Sequence, residues 1–143
     1  MGRGMVDDDT VRQVLRECRT VVCLGASLNP ARPSHYVSGF LIARGYDVWP
    51  VNPVHEGRIW HGRPVLPDLA SVPVPVDMVD VFRRSEHVPD IVEDALAHLP
   101  GLKAIWLQLG IRHDAAANRA RQAGLIVVQD RCPKIEWPRL MAG

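Results

Sequence analysis

With 143 residues, 47% of them hydrophobic and 23% charged, the chain has the composition of a soluble globular protein built on one core. A net charge of +1 supplies no global field toward nucleic acid or an anionic membrane, so any anion site has to be local. No apolar run approaches the ~20 residues that span a bilayer, and three cysteines without metal-type spacing imply a reduced, cytoplasmic protein.

The first nine residues, with three aspartates and no apolar segment, do not read as a secretory leader. Asp7-Asp8-Asp9-Thr10 sets acidic and capping residues before Val11, Val14, Leu15 and Cys18, which predicts an amphipathic first helix. A strand over 20–24 follows, and the small residues Gly25-Ala26-Ser27 stop it. The prolines in Leu28-Asn29-Pro30-Ala31-Arg32-Pro33 delay the next helix, for which Ser34 is the expected N-cap. Tyr36, Val37, Phe40 and Leu41 give it helical spacing and Gly45 closes it. A second strand over 47–51 ends at Asn52-Pro53, and residues 54–63 read as a loop carrying His55, Arg58, Trp60 and His61. Residues 66–69 fit a short helical turn.

The third strand, 77–82, alternates acid with Met78, Val79 and Val81 before Arg83-Arg84. Ser85 is the expected cap of a helix reaching Leu99, with Ile91, Val92, Ala95 and Leu96 inward. A fourth strand over 103–107 leads to Gln108-Leu109-Gly110, an alanine-rich helix over 114–123 follows, and a fifth strand over 125–128 runs into Gln129-Asp130-Arg131-Cys132-Pro133. The amphipathic tail 134–140 could pack on the sheet edge or bridge two subunits, and Trp60 and Trp137, read as exposed, point to a homodimer. Strands alternating with helices predict a single α/β Rossmann-like domain over 1–143: a five-stranded parallel sheet with helices on both faces.

Ligands of such sheets bind beyond the carboxyl ends of the strands. The strand ends here are small, polar or cationic: Gly25-Ala26-Ser27, Asn52-Pro53, Phe82-Arg83-Arg84, Gln108-Leu109-Gly110 and Asp130-Arg131-Cys132. The loop after the first strand, leading into the helix at Ser34, suits a phosphate met by orphan amides and the positive end of the helix dipole. It lacks the G-x-G-x-x-G spacing of NAD sites, and Asn52 stands where an acid would hold ribose hydroxyls. An adenosine bearing an extra phosphate, as in NADP or coenzyme A, meets no repelling acid there, and the short chain leaves coenzyme A (CoA) the better fit.

These same segments, with Arg32-Pro33-Ser34-His35-Tyr36-Val37, Gly45-Tyr46, Pro50-Val51-Asn52-Pro53, Asp80-Val81-Phe82-Arg83 and Trp106 to His113, resemble the small stand-alone CoA-binding proteins. That family is related to the nucleotide-binding domain of the succinyl-CoA synthetase α subunit, and the resemblance covers about 12–140. It implies a diphosphate against Gly25, Ala26, Ser27 and the start of the Ser34 helix. It implies adenosine beside Asn52, Pro53, Phe82 and Arg83, and a pantetheine arm beside Gln108 and Gly110. Many relatives carry a basic residue directly after the Asn-Pro pair, whereas Val54 stands here, so a 3′-phosphate would fall to Arg58, Arg83 or another cation.

His35, in the first turn of that helix, could bond an anion, and His113 shapes the loop it opens. Cys132 after Arg131 is the one candidate for thiol chemistry with the CoA sulfur, with Arg131 free to pair instead with Asp130 or Glu136. Binding without catalysis is the leading expectation; Cys132-dependent exchange or an NADP-binding regulator are the alternatives.

Overall fold

The computed structural model describes residues 6–142, so part of the N-terminal stretch read as leaderless, residues 1–5, and the last residue lie outside it. Helix α1 (Asp8–Glu17) precedes β1 (Thr20–Leu24), α2 (Pro33–Ala43) and β2 (Asp47–Val51). The two-residue strands β3 (Ile59–Trp60) and β4 (Arg63–Pro64) form a small hairpin. Then come β5 (Met78–Val81), α3 (Val88–His98), β6 (Ala104–Leu107), α4 (Asp114–Gln122), β7 (Ile126–Val128) and α5 (Pro133–Met141).

The large sheet runs in the order β2-β1-β5-β6-β7, every pair parallel, as the alternating pattern predicts. The chain steps outward from β1 to β2, then returns to the other side of β1 at β5. The reversal opens a crevice past the carboxyl ends of β1 and β5. Because side chains alternate across a strand, Val22, Val79, Ile105 and Val127 pack against α3 and α4. Val21, Cys23, Met78 and Trp106 pack against α1, α2 and α5. Ala116, Ala117 and Ala120 make the buried stripe of α4.

Several local expectations give way. Pro33, with φ preset for a helix, starts α2 two residues early, so Arg32 rather than Ser34 is its N-cap and Ser34 is buried inside the first turn. Ser85 opens a 3-10 turn instead of capping α3, because Pro89 fits only the first helical turn. The helix therefore begins at Val88, while the Ser85 hydroxyl accepts from the Arg112 amide at 2.9 Å. The turn placed at 66–69 forms at Leu69–Ser71, since Leu66 is drawn into a parallel bridge with Val51. Within 54–63 lies the β3 strand of the hairpin, and it buries Trp60. Trp60 is 1% exposed and Trp137 is half-buried, edge-on to Phe40 at 6.2 Å, so the surface aromatics that pointed to a homodimer are structural. The tail packs as α5 against α1 and α2.

Asp80 departs most from the alternation read in its strand. All four residues of β5 are buried, as in a central parallel strand, and Asp80 lies between Cys23 of β1 and Trp106 of β6. Both its carboxyl oxygens are buried without a partner among the described residues. Burial pushes its pKa well above the carboxylate range.

Candidate functional site

The chain leaves β1 through Gly25 at φ +94, a conformation that L side chains rarely adopt. A Cβ there would stand 3.1 Å from Arg83 Cδ and 3.3 Å from the Phe82 carbonyl oxygen. The amides that follow are engaged within the fold. Those of Gly25 and Ala26 donate to the Val51 carbonyl at 2.9 and 3.3 Å, and that of Ser27 donates to Ser34 Oγ at 2.9 Å. Ser27 Oγ accepts from the Asn29 amide and Asn29 Oδ1 from that of Ala31. Asn52 Nδ2 donates to the Ala26 carbonyl at 3.0 Å, while its Oδ1 accepts from the Val54 amide at 3.0 Å. The expected cradle of Gly25, Ala26 and Ser27 amides is thus a latch between β1, β2 and α2. What it presents outward is the N-terminus of α2, the Ser27 and Ser34 hydroxyls and Arg32.

These groups line a cleft of about 420 Å³ with Gly25, Pro33, Asn52, Phe82 and Gln108, which brings eight of the predicted residues together. His55 and Ile111 join them; both sit a few residues past a strand end, the only signal the sequence carried. Ala26 is fully buried beneath the cleft. Pro53 and Arg83 line an adjoining 370 Å³ cavity with an apolar floor of Leu24, Val51 and Leu69 and a rim of Asp68, Asp90 and Asp94. Gly110 lines a shallower hollow shared with Phe82 and Arg83.

Three observations give the cleft its chemistry. Among the described α-helices, α2 alone has no acid in its first turn, so its positive end is not neutralised locally. The side chains of Arg32 and Arg83 make no ion pair or hydrogen bond with the described residues, which leaves two cations beside the cleft. Gln108 is 6% exposed, and its Oε1 is buried without a partner among the described residues although the residue lines the cleft. A buried amide oxygen left unmade costs about 1–3 kcal/mol, and turning the side-chain amide about its last torsion toward the cleft would let a donor there satisfy it.

The structure separates Arg131 and Cys132 from this group. They line a further cavity of about 340 Å³ with Leu109, Ile135 and Glu136. Arg131 Nη1 is 2.5 Å from Glu136 Oε1, so of its two expected partners it takes Glu136. Arg139 also reaches Glu136, and forms two hydrogen bonds to Asp8. Burial opposes the charge on Glu136, but the hydrogen bonds from Arg139 and Arg131 outweigh it and hold the carboxyl below its usual range. Cys132, 6% exposed, is the residue preceding α5. Asp130, at φ +57, accepts from the Gly110 amide at 2.7 Å and fixes the loop after β6.

Cys18 and Cys23 are buried, with burial pushing the Cys18 thiol up to about 12 and the Cys23 thiol up as well. His113 caps α4, its Nδ1 accepting from the Ala116 amide at 3.1 Å. His35 stacks on His61 at 4.1 Å instead of lining the cleft, and burial together with His61 lowers its pKa.

A family profile described as CoA binding domain matches residues 19–138. The uncharacterized protein YneT of Bacillus subtilis is 30% identical over 125 residues, covering 87% of this chain and 90% of that protein. A solved structure from Thermus thermophilus shares 38% identity with a TM-score of 0.88, covering 95% of this chain and 100% of that one. A hypothetical protein from Pyrococcus horikoshii shares 33% identity at a TM-score of 0.88, with 96% and 94% covered. With the matched segment spanning all five strands of the sheet and every residue of the cleft, the chain belongs to the CoA binding domain family.

Proposed function

We propose that this protein binds coenzyme A, or an acyl thioester of it, in the cleft past β1, β5 and β6, without a reaction of its own. The observation that carries the reading is Gln108, whose buried, unpartnered oxygen suits an amide N–H such as the pantetheine arm supplies. The other parts of CoA find matching chemistry. The diphosphate suits the acid-free start of α2 with Arg32. The adenine ring suits the apolar floor beside Pro53, where a carboxylate can accept from its amino group. Arg83, on the wall of that cavity, is the cation nearest to hand for a 3′-phosphate, since Val54 is 81% exposed and carries no charge. Three free thiols accord with a reducing cytoplasm.

Calorimetric titration of the ligand-stripped protein with CoA, NADP and NAD tests the reading. Micromolar binding of CoA alone is the expected result, and Gln108→Leu should weaken it about tenfold. Tighter NADP binding, or a Gln108→Leu variant with unchanged affinity, would overturn it.

A second reading has one observation in its favour: Cys132 lines a cavity that shares Leu109 with the cleft. There the Cys132 thiol would attack a CoA disulfide, forming a protein–CoA mixed disulfide and releasing one CoA thiol with the proton from Cys132. Cys132→Ser should then abolish the adduct while reversible binding persists; an adduct that survives would remove the idea.

A further inference from the structure

The cavity past Leu109 has a feature that CoA itself does not use. Leu109 is 52% exposed and Ile135 is 55% exposed, two large apolar side chains on the walls of one 340 Å³ space, with Cys132 alongside them. Its volume is that of a small-molecule pocket. Both arginines on its wall are already paired: Arg131 with Glu136 at 2.5 Å, where Arg139 joins from outside the cavity, and Arg112 with Asp114 at 3.4 Å. Asp130 is engaged with the Gly110 amide. An incoming anion would therefore meet the Glu136 carboxylate and two arginines already paired, whereas an uncharged aliphatic group would cover Leu109 and Ile135. Leu109 also lines the cleft that holds Gln108, so the two spaces share one wall residue.

We infer that this cavity is an acyl chamber: the ligand's sulfur ends at Leu109, and a short, uncharged aliphatic acyl group on it is received between Leu109 and Ile135. The inference rests on the CoA reading above and adds the class of thioester, short and aliphatic instead of dicarboxylic. Nothing in it requires a reaction at Cys132.

The test is titration of the whole protein with CoA, acetyl-, propionyl-, butyryl- and succinyl-CoA. Affinity should rise about fourfold per added methylene up to butyryl, the conversion of about 0.8 kcal/mol per buried methylene. Succinyl-CoA should bind less tightly than butyryl-CoA. Ile135→Asp should bring the ratio of butyryl-CoA to CoA affinity toward one. Ile42→Asp, a charge on an exposed apolar residue of α2 outside the chamber, should leave that ratio as it was. CoA binding with a flat series, or a series that survives Ile135→Asp, overturns the chamber and leaves the CoA reading standing. If neither CoA nor any thioester binds, the CoA reading falls and the chamber with it.

Discussion

Asp80→Asn should stabilise the protein at neutral pH, and the size of the effect follows from the position of the residue. Asp80 is 1% exposed, both of its carboxyl oxygens lack partners, and its neighbours across the ladder are Cys23 and Trp106. A charge cannot be held there, so the folded state carries the neutral acid. In the unfolded chain the same group ionises near 3.8. Folding at pH 7 therefore requires proton uptake, with a ceiling of about 4 kcal/mol at ~1.4 kcal/mol per unit of pKa. Asparagine removes that cost but buries a second amide proton, worth about 1–2 kcal/mol, so a net gain of at most about 2–3 kcal/mol is expected.

The sign gives a second handle. Because the folded pKa is raised, the folded state binds the proton that the unfolded state has released. Stability should fall as pH rises from about 4 toward the folded value, by up to ~1.4 kcal/mol per unit. Urea denaturation of both proteins between pH 5 and 8.5 isolates this, since other titrating groups cancel in the difference. A variant less stable than the parent, with a difference independent of pH, would refute the reasoning and mean that Asp80 is ionised and paired.

Gly25→Ala should destabilise by about 1–3 kcal/mol in urea melts, from left-handed strain and the 3.1 Å approach to Arg83 Cδ, and should weaken ligand binding by shifting the latch. Glu136→Gln should cost about 1–2 kcal/mol, discounted because both of its arginines are partly exposed. The depressed pKa of Glu136 means this stability is present above about pH 4.5 and lost as pH falls through the folded value, so acid melts of the two proteins should converge. Arg83→Ala should weaken CoA more than dephospho-CoA in parallel titrations; equal losses would separate Arg83 from the 3′-phosphate.

Much of the fold is legible in the chain because apolar runs and their punctuation are local. The apolar runs leading into Gly25 and Gln108 mark β1 and β6, and the buried alanines mark α4. The register of β1 against β2 is not local, and it decides that the Gly25 and Ala26 amides face Val51 instead of a ligand. Trp60 was misread for the same reason: a loop residue is buried here only because a two-residue hairpin lays it beside His35 of α2. Gln108 could be named from its place after β6, but its orphaned oxygen depends on packing. Arg131 and Cys132 follow a strand end like the others, yet the pull of Glu136 on Arg131 turns that end toward α5.

The bonds between Arg139 and Asp8, together with Arg12 Nε donating to the Leu140 carbonyl at 3.1 Å, hold the first and last helices side by side. Asp8 and Arg139 are therefore near neighbours, and a flexible peptide could bridge the two helices. New ends could be opened at Gly57, where an added Cβ meets nothing within 4 Å. A circularly permuted protein cut there would keep the order of strands in the large sheet and the wall of the cleft, while its chain would begin at β3 instead of α1.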